Sequence, residues 1–547
     1  MKVNSSKILL LLLGLIFADY LIGMIMIDLM EVDTMQYGSI AREMMDSGNY
    51  LQLHHRQLDY LDKPPLLFWL SSLSFSIFGF SPFSFRIPSM LFIILGAYST
   101  YGLAKIYYNK ETGILAAVIL TSSQAWFMIS HDPRTDAILA GAVIFGVWQL
   151  VEYMRNQRFT NFILGFLGIA FALLEKGPIG IMVPVLAIGT EIIYKKDWKN
   201  LFRWQWIAGV LVILILLSPM IWGLYEQYGW DGVKFYFWTQ SFGRITGESV
   251  WEDSSSYFYF AHTFLWVFLP WMIIAIYGIV MRIKEMFSNR GNSKSVEVLS
   301  LGGFLLPFIA LSFSHFKLPH YIFVGFPFVA IITAVALQKM FSKKESATAK
   351  IFYYVQLFIN AILWAAVIFI CIWVFPLNNF IIWFFAIILL IATIYFSVKR
   401  SGVKYRILIP SALTIIGLNF LLNIHFYPQL LTYQSGTYIA EYVKENNIPV
   451  EDVFIYKKSS HSLDFYLRTI VPILENEEDI LNKVNTNGNI WFVTNQEGKQ
   501  MIEKLYPNSV IVEEFKDFHI TLLNSQFLDP KTRSSVERKR YIIKINP

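Results

Sequence analysis

Residues 8–27, ILLLLLGLIFADYLIGMIMI, form an apolar run that is long enough to cross a bilayer core of about 30 Å as a single helix. Lys2 and Lys7 precede this run, and Asp28 and Glu31 follow it. A cleaved signal peptide has a shorter apolar core and small residues at its cleavage site, and neither feature is evident here. We therefore expect a retained first span whose N-terminus faces the cytoplasm.

The composition of the whole chain is that of a membrane protein. Of its 547 residues, 55% are hydrophobic and only 15% are charged, and the mean hydropathy is +0.48. A soluble protein carries roughly a quarter charged residues. The single cysteine, Cys371, excludes an internal disulfide and makes a cysteine metal site a poor hypothesis. The net charge of +6 is small for this length, and we expect no nucleic-acid partner.

Further apolar runs bring the predicted number of spans to about thirteen. They lie near 86–106, 113–130, 136–154, 161–175, 177–194, 205–224, 259–281, 297–314, 319–341, 351–375, 379–398 and 406–424. If the spans alternate from a cytoplasmic N-terminus, the inner loops hold more than twice as many Lys and Arg residues as the outer loops before residue 425. This asymmetry agrees with the positive-inside rule and predicts that everything after about residue 425 lies outside.

The segment 28–85 is too long for a simple turn and is outside the membrane in this topology. Its stretch TMQYGSIAREMMDSG (34–48) predicts an amphipathic helix that ends at glycine. The stretch KPPLLFWLSSLSFSIFGF (63–80) begins at Pro-Pro and is interrupted by Gly79, so it predicts a helix lying along the membrane surface and not a span.

The composition changes from about residue 430 onward. Short apolar strands (DVFIY, NIWFVTN, SVIVEEF and FHITLL) alternate with polar helical stretches (SGTYIAEYVKENN, EEDILNKVN and QEGKQMIEKLY). This pattern indicates a small α/β domain. We expect the basic tail KTRSSVERKRYIIK (531–544) to be mobile.

Polar residues collect at the outer ends of several predicted spans. The groups are Asp33 with Tyr37, Asp62 with Lys63, Arg134 with Asp136, Glu175 with Lys176, Gln240 with Arg244, and Lys317 with His320 and Tyr321. Considered singly, basic residues at span ends commonly extend to lipid headgroups, and we favour that interpretation for Lys176 and Arg86. Loop histidines such as His131 and His55 are expected to be solvated.

Seven stretches of the chain match one known family in order. They are DTMQYGSIAREMMDSGNY (33–50), LDKPPLLFWL (61–70), SPFSFRIPS (81–89), RTDAILA (134–140), LEKGPIG (174–180), LPW (269–271) and KLPHYIFVGFPFVA (317–330). Together they resemble the bacterial polyprenyl-phosphate-sugar glycosyltransferases, which include the lipid A aminoarabinose transferase and are related to the protein O-mannosyltransferases. The resemblance implies a C-type glycosyltransferase fold. This is a mainly α, polytopic membrane domain (1–425, about 13 transmembrane helices) followed by a small α/β extracytoplasmic domain (426–547).

The resemblance implies inverting transfer of a sugar from a polyprenyl phosphate of the undecaprenyl type to an acceptor in the cell envelope. The acceptor would be lipid A, another glycan, a lipid or a protein. The leaving lipid phosphate gains negative charge in the transition state, so fixed cations aimed at its oxygens stabilise that state. Lys63, Arg244 and Lys317 are the predicted cations, and the Tyr321 hydroxyl is expected to add a hydrogen bond.

The same resemblance assigns roles to the predicted acids. Asp33 is expected to be the base or the orienting group for the acceptor hydroxyl. Asp136 is expected to organise the polar cavity by pairing with Arg134. The remaining predicted substrate-binding residues are Tyr37, Asp62 and His320.

The chain departs from the family pattern at three places. Thr34 follows Asp33 where relatives have a second acid, Asp62 stands where the aminoarabinose transferases often have Glu, and Gln240 opens a loop that holds a histidine in some of them. We therefore predict no metal and no other cofactor for catalysis. The departures also weaken any assignment of aminoarabinose as the sugar and lipid A as the acceptor.

Two functions of other classes remain open from the sequence. A lipid or sugar transporter or flippase would also have many spans, but it predicts ionisable groups near the middle of the membrane and inverted repeats. An inactive membrane scaffold that presents the C-terminal domain is the other. The clustering of polar residues at outer span ends favours surface chemistry.

Overall fold

The computed structural model describes residues 5–240, 243, 255–342, 347–399, 403–457, 460–486 and 490–545. Within these ranges the chain is a bundle of long apolar helices that ends in one five-stranded sheet with its own helices. The first helices are α1 (Ser5–Met26), α2 (Asp33–Ser47), α3 (Leu66–Phe78), α4 (Pro82–Tyr107), α5 (Lys110–Thr121), α6 (Gln124–His131), α7 (Thr135–Asn156), α8 (Phe159–Lys176), α9 (Ile179–Lys195), α10 (Trp198–Leu201) and α11 (Gln205–Lys234). The bundle continues with α12 (Tyr259–Val267), α13 (Met272–Ser288), α14 (Leu299–Ser312), α15 (Phe326–Ser342), α16 (Ala347–Phe369), α17 (Phe380–Val398), α18 (Val403–Leu421) and α19 (Tyr427–Leu431).

The predicted multi-span body is confirmed. In the described part of the chain, nine helices are long and apolar enough to cross a membrane, or up to 10 if the pair α5–α6, bent by 62°, is one span. Each of the thirteen predicted runs contains helix, but several of these helices are short, such as α9 with 17 residues and α14 with 14. The number thirteen therefore stays a prediction.

The two helices predicted in the segment 28–85 are present, and local sequence explains their ends. Gly48 follows α2 with φ 68°, a left-handed conformation that glycine adopts without steric cost. Pro65 caps the start of α3, and Gly79 with φ 79° ends it. With 13 residues, α3 is about 20 Å long, too short to cross a bilayer core. A two-stranded hairpin, β1 (His54–His55) and β2 (Leu58–Asp59), lies between the two helices.

The C-terminal part is an α/β domain, as predicted. Its sheet has the order β4-β3-β5-β7-β6, in which β3 is parallel to β4 and β5, and β7 is antiparallel to β5 and β6. The strands are β3 (Val453–Tyr456), β4 (Ile473–Leu474), β5 (Ile490–Asn495), β6 (Val510–Asp517) and β7 (Arg538–Ile545). The helices are α20 (Ser435–Glu445), α21 (His461–Leu467), α22 (Glu477–Thr486), α23 (Gln496–Leu505), α24 (Ser525–Leu528) and α25 (Arg533–Val536).

Two predictions for this domain are wrong. The run FHITLL forms no strand, and residues 518–524 connect β6 to α24. The basic tail is not mobile, because its second half is β7, which pairs with strands on both sides. Tyr541, Ile542 and Ile543 are buried there. Arg540 is buried together with these residues, and only Arg538 and Lys539 at the start of the strand are exposed.

Arg86 and His131 were expected at headgroups and in solvent, and both expectations are wrong. Arg86 is 1% exposed and donates to the backbone carbonyls of Met24 (3.1 Å), Asp28 (3.0 Å) and His131 (2.7 Å). These carbonyls lie at helix ends, where no intrahelical donor satisfies them. The guanidinium therefore ties the ends of α1, α4 and α6 together.

The C-terminal domain packs directly on the segment 28–85. Arg42 Nη1 donates to the Asp464 carbonyl at 2.9 Å, and Arg56 forms an ion pair with the Asp464 carboxylate. Glu31 accepts from the backbone N–H of Ser462 at 2.7 Å. The rings of His55 and His461 lie 5.2 Å apart across the same contact.

The contact between His55 and His461 should weaken in acid. Burial lowers the pKa of His55 to about 4, and the nearby His461, Arg56 and Arg42 lower it in the same direction. Burial also lowers the pKa of His461. Because the folded protein binds these protons less readily than the unfolded chain, stability is lost as the pH falls from about 6.5 to about 4.

A thermal unfolding series in detergent between about pH 7.5 and about pH 5 measures this loss. The unfolding temperature of His55→Gln should fall less over the series than that of the unsubstituted protein. His519→Gln, at an exposed histidine, is the matched control and should behave as the unsubstituted protein does. Burial raises the pKa of Asp464, which contributes in the opposite sense in all three proteins. Equal losses in all three would contradict the prediction.

Candidate active site

A polar cavity of about 220 Å³ lies where several helix ends meet at one end of the bundle. Eight of the ten predicted site residues line it: Asp33, Tyr37, Asp62, Lys63, Arg134, Asp136, His320 and Tyr321. They come from the start of α2, the residues before α3, the start of α7 and the turn that leads into α15. Segments that are far apart in the sequence therefore converge, as the sequence interpretation requires.

Arg134 links two carboxylates on one side of the cavity. Its Nη1 lies 3.2 Å from Asp33 Oδ2, and its Nε lies 2.7 Å from Asp132 Oδ2. The Thr34 hydroxyl also donates to Asp132. Asp132, more than any other group, raises the pKa of Arg134 above its ordinary value, so the guanidinium stays charged. The predicted pairing of Arg134 with Asp136 is wrong, since the guanidinium pairs with Asp33 and Asp132 and Asp136 pairs with Lys176.

Asp136 is paired with a residue that the sequence interpretation assigned to the lipid headgroups. Lys176 Nζ lies 2.6 Å from Asp136 Oδ1 and 4.7 Å from the centre of the Tyr321 ring. His320 Nε2 lies 3.7 Å from Asp136 Oδ2. Lys176 lines the cavity, and its side chain is only 16% exposed. Its place in the stretch LEKGPIG, which matches the family pattern, was the signal that could have identified it.

Lys63 is fixed by a short chain of polar contacts. Its Nζ lies 2.6 Å from Asp62 Oδ2, and the other oxygen of Asp62 accepts from Gln240 Nε2 at 3.0 Å. Gln240 also donates to the backbone carbonyl of Asp62. The rigid Pro64-Pro65 pair follows directly. The side-chain amide of Gln240 therefore fixes the carboxylate of Asp62, and this carboxylate in turn fixes the ammonium of Lys63 in the cavity.

Replacing Gln240 by alanine should slow the sugar transfer that the sequence leads us to expect, without unfolding the protein. The change removes two hydrogen bonds to Asp62, and the ammonium of Lys63 then loses its fixed position. A misplaced catalytic group costs up to about 10²-fold in rate, mainly in kcat. Steady-state kinetics of Gln240→Ala and Gln240→Glu measure the effect. Recovery of the rate in Gln240→Glu would contradict the prediction, since a carboxylate cannot donate to Asp62.

The side chain of Tyr37 lines the cavity but is otherwise enclosed. Burial raises its pKa well above the ordinary value, and the nearby Tyr60, Asp33 and Asp62 act in the same direction. The hydroxyl therefore stays protonated and is available as a hydrogen-bond donor. Tyr37 lies one turn after Asp33 on α2, which confirms the shared helix face predicted from their spacing.

Of the three cations predicted to hold the leaving phosphate, the structure places Lys63 in the cavity and Lys317 outside it. Lys317 does not line it, although its neighbours Phe316 and Leu318 do. The ammonium of Lys317 instead contacts the Ser255 carbonyl at 3.1 Å and lies 5.7 Å from the Tyr257 ring. Arg244 lies outside the described residues. The cations that the structure brings to the cavity are Lys63, Arg134 and Lys176.

In the described ranges, no group of three or more His, Cys, Asp or Glu side chains has an arrangement that could hold a metal ion. Asp62 and Gln240, which are two of the three positions where the chain departs from the family pattern, contact each other directly. The absence of a catalytic metal stays a prediction.

The architecture and the motifs agree with known proteins. Residues 62–222 match the dolichyl-phosphate-mannose-protein mannosyltransferase family. The chain superposes on the crystal structure of ArnT from Cupriavidus metallidurans bound to undecaprenyl phosphate with a TM-score of 0.76 and 18% sequence identity, over 99% of this chain and 98% of that one. This chain has the C-type glycosyltransferase fold. The C-type fold predicted from the sequence motifs is thereby confirmed. The predicted resemblance to the polyprenyl-phosphate-sugar glycosyltransferases is confirmed as well.

Curated proteins of known name share part of this sequence. An undecaprenyl phosphate-alpha-4-amino-4-deoxy-L-arabinose arabinosyl transferase 2 of Proteus mirabilis is 26% identical over 324 residues, which are 58% of this chain and 57% of that protein. The corresponding transferase of Erwinia tasmaniensis is 28% identical over 330 residues, 59% of this chain and 58% of that protein. The chain thus spans less than two thirds of the length of these relatives.

Proposed function

We propose that this protein is an integral membrane glycosyltransferase that takes a sugar from a polyprenyl-phosphate donor and transfers it to an envelope acceptor with inversion. The observation that carries the proposal is the single cavity in which Lys63, Arg134 and Lys176 meet at helix ends, beside the carboxylates of Asp33 and Asp136. The names of the relatives, and the undecaprenyl phosphate bound to ArnT, support a polyprenyl-phosphate donor.

The three cations match the charge that develops on the donor. When the glycosidic bond breaks, the lipid phosphodiester becomes a monoester, and its negative charge grows from about one unit to nearly two. Preorganised cations in a water-poor site stabilise this charge more than water does. Each ammonium or guanidinium is already paired with a carboxylate in the structure, so each is held in place before the donor arrives.

We assign the activation of the acceptor hydroxyl to Asp33. Its side chain is 44% exposed and lines the cavity from the first turn of α2. Its carboxylate accepts the hydrogen bond of the acceptor hydroxyl while that oxygen attacks the anomeric carbon. Arg134 fixes the direction in which the carboxylate points. His320 and Tyr321 lie across the cavity beside Asp136 and Lys176, in the position to contact the sugar or the phosphate.

A transporter or flippase is the alternative, and the placement of the cavity favours the transferase. Lys63 precedes α3, Arg134 precedes α7, and Lys176 is the last residue of α8. Cavity cations at helix ends suit chemistry at the membrane surface, whereas a transport pathway needs ionisable groups along the middle of the bundle. With the basic residues of the loops on the cytoplasmic side, the cavity and the C-terminal domain lie outside the inner membrane.

The deciding experiment uses the full chain in lipid nanodiscs. It is incubated with a panel of radiolabelled polyprenyl-phosphate sugars and with separate lipid A, glycan and protein fractions of the envelope. Label should move to one acceptor class with the unsubstituted protein, and far less with Asp33→Asn or Lys63→Ala. If both variants transferred label as fast as the unsubstituted protein, the assignment of the active site to this cavity would be wrong. Movement of donor across proteoliposomes without any transfer would establish the transporter instead.

A further inference from the structure

Besides its contact with the segment 28–85, the C-terminal domain packs against the ends of spans through residues 518–536, which include the short helices α24 and α25 and which we call the edge loop. Ile520 and Phe527 of the edge loop pack into an apolar cluster with residues at the ends of spans. These residues are Ile27, which follows α1, Val374 and Phe375, which follow α16, and Phe426, which precedes α19. The edge loop therefore lies at the level where the spans leave the membrane.

The edge loop presents apolar side chains that the protein itself does not cover. Leu522 is 66% exposed, and its neighbour Leu523 is 37% exposed. At the same edge of the bundle, α17 starts shortly after Phe375 with Phe380 (80% exposed) and Ile381 (64% exposed). Helix α17 is a candidate span, so its exposed face is lipid-facing. Leu522 and Leu523 follow Ile520 in the chain after one residue, and α17 follows Phe375 after a short connection, so both exposed apolar patches start from the same buried cluster.

Basic side chains of the edge loop lie beside aromatic residues at the end of the α16 span. Lys531 Nζ is 5.6 Å from the ring centre of Trp373, whose side chain is 42% exposed. Arg533 lies 4.3 Å from the ring centre of Phe375 and donates to the Val374 carbonyl at 2.5 Å. Tryptophan with a neighbouring lysine is typical of the boundary between hydrocarbon and headgroups.

The two basic residues have different surroundings. Arg533 is held by the carbonyls of Val374 and Phe527, so it fastens the edge loop to the bundle. Lys531 is exposed. Its backbone N–H donates to Asp529 Oδ1 at 2.9 Å, and within the described ranges its ammonium makes no ion pair with a carboxylate. A cation beside an interfacial tryptophan attracts anionic lipid headgroups at the membrane surface.

We propose that the edge loop is a lipid-contact surface, in which Leu522 and Leu523 enter the boundary of the bilayer and Lys531 binds the phosphate of an anionic phospholipid. The apolar cluster that joins the edge loop to the residues just before the lipid-facing α17, and the charge of Lys531, both select a lipid surface as the occupant. The C-terminal domain is then held by the bilayer as well as by its contact with the segment 28–85. This inference does not depend on the proposed transfer reaction.

Spin labels in nanodiscs test the apolar contact. One label is placed at Leu522→Cys and a matched one at Leu481→Cys, an exposed leucine on α22 of the same domain. The native Cys371 is buried, and the unsubstituted protein measures any label that it takes up. The label at position 522 should collide more often with oxygen than with a water-soluble nickel complex, and the label at position 481 should show the reverse. The same accessibility at both positions would overturn the proposal.

A second comparison tests the headgroup. Adding phosphatidylglycerol to a phosphatidylcholine nanodisc should raise the oxygen accessibility at position 522. Lys531→Glu should remove this response, and Lys504→Glu, at an exposed lysine on α23, should retain it. The assignment of Lys531 is overturned if phosphatidylglycerol has no effect in the labelled protein that keeps both lysines. It is also overturned if the two lysine variants respond alike. Dipolar broadening between labels at position 522 that persists on dilution with lipid would indicate a second copy of the chain as the occupant and would also overturn it.

Discussion

Lys63→Ala should lower the kcat of sugar transfer by about 10²- to 10³-fold, the loss expected when one preorganised donor to a developing negative charge is removed. The charge on the leaving phosphate grows only as the bond breaks, so the effect should fall on kcat more than on the KM of the donor. Asp62, which holds the ammonium at 2.6 Å, stays bound to Gln240 in this variant. Kinetics with a labelled polyprenyl-phosphate sugar in nanodiscs measure both constants.

The matched control for this prediction is Lys234→Ala. Lys234 is the last residue of α11, is exposed and does not line the cavity. It should transfer sugar as the unsubstituted protein does. Lys63→Arg keeps the charge and should recover part of the rate. If Lys63→Ala only raises the KM and leaves kcat intact, the ammonium binds the donor in its ground state, and its proposed role in the transition state is wrong.

Asp33→Asn should lower kcat by about 10²- to 10⁴-fold, the range typical of a lost acid–base group. Asparagine has nearly the same shape as aspartate but cannot take the proton of the acceptor hydroxyl, and its amide hydrogens face a guanidinium that also only donates. Arg134 keeps its pairing with Asp132 at 2.7 Å, so the wall of the cavity should remain in place. Transfer to the acceptor fraction, followed at saturating donor, measures the loss.

The same helix supplies the control for Asp33→Asn. Asp46 lies on the last turn of α2, and its side chain is 59% exposed. Asp46→Asn should leave both the rate and the unfolding temperature nearly unchanged. If Asp33→Asn transfers at the normal rate while binding of the donor is weakened, the carboxylate orients the donor and is not the acceptor-side group.

The sequence predicts helices and strands most accurately where a local pattern decides the structure. The end of α2 follows from Gly48, and the start and end of α3 follow from Pro65 and Gly79. Strand β7 was missed because basic residues precede its short apolar run, and only pairing with β5 and β6 makes that run a strand. Strand propensity depends on such neighbours more than helix propensity does.

The candidate site was predicted as a set of residues, and its pairings were not. Asp33, Lys63 and Asp136 were identified from motifs, yet Arg134 was given the wrong partner and Lys176 was assigned to the headgroups. A charged residue at a span end looks the same in the sequence whether it faces lipid or a cavity. Its direction depends on which helix ends meet, and those are separated by up to hundreds of residues in the chain.

Hydropathy, glycine and proline placement and motif order are properties of short stretches. They were sufficient to predict a multi-span protein with two helices in the segment 28–85, a C-terminal α/β domain and the C-type fold. Only the tertiary structure shows three features. They are the position of Lys176 in the cavity, the polar contacts that link Gln240, Asp62 and Lys63, and the packing of the edge loop against the span ends. Each is a contact between distant segments, and its energy depends on a distance of a few ångströms that packing of the whole bundle sets.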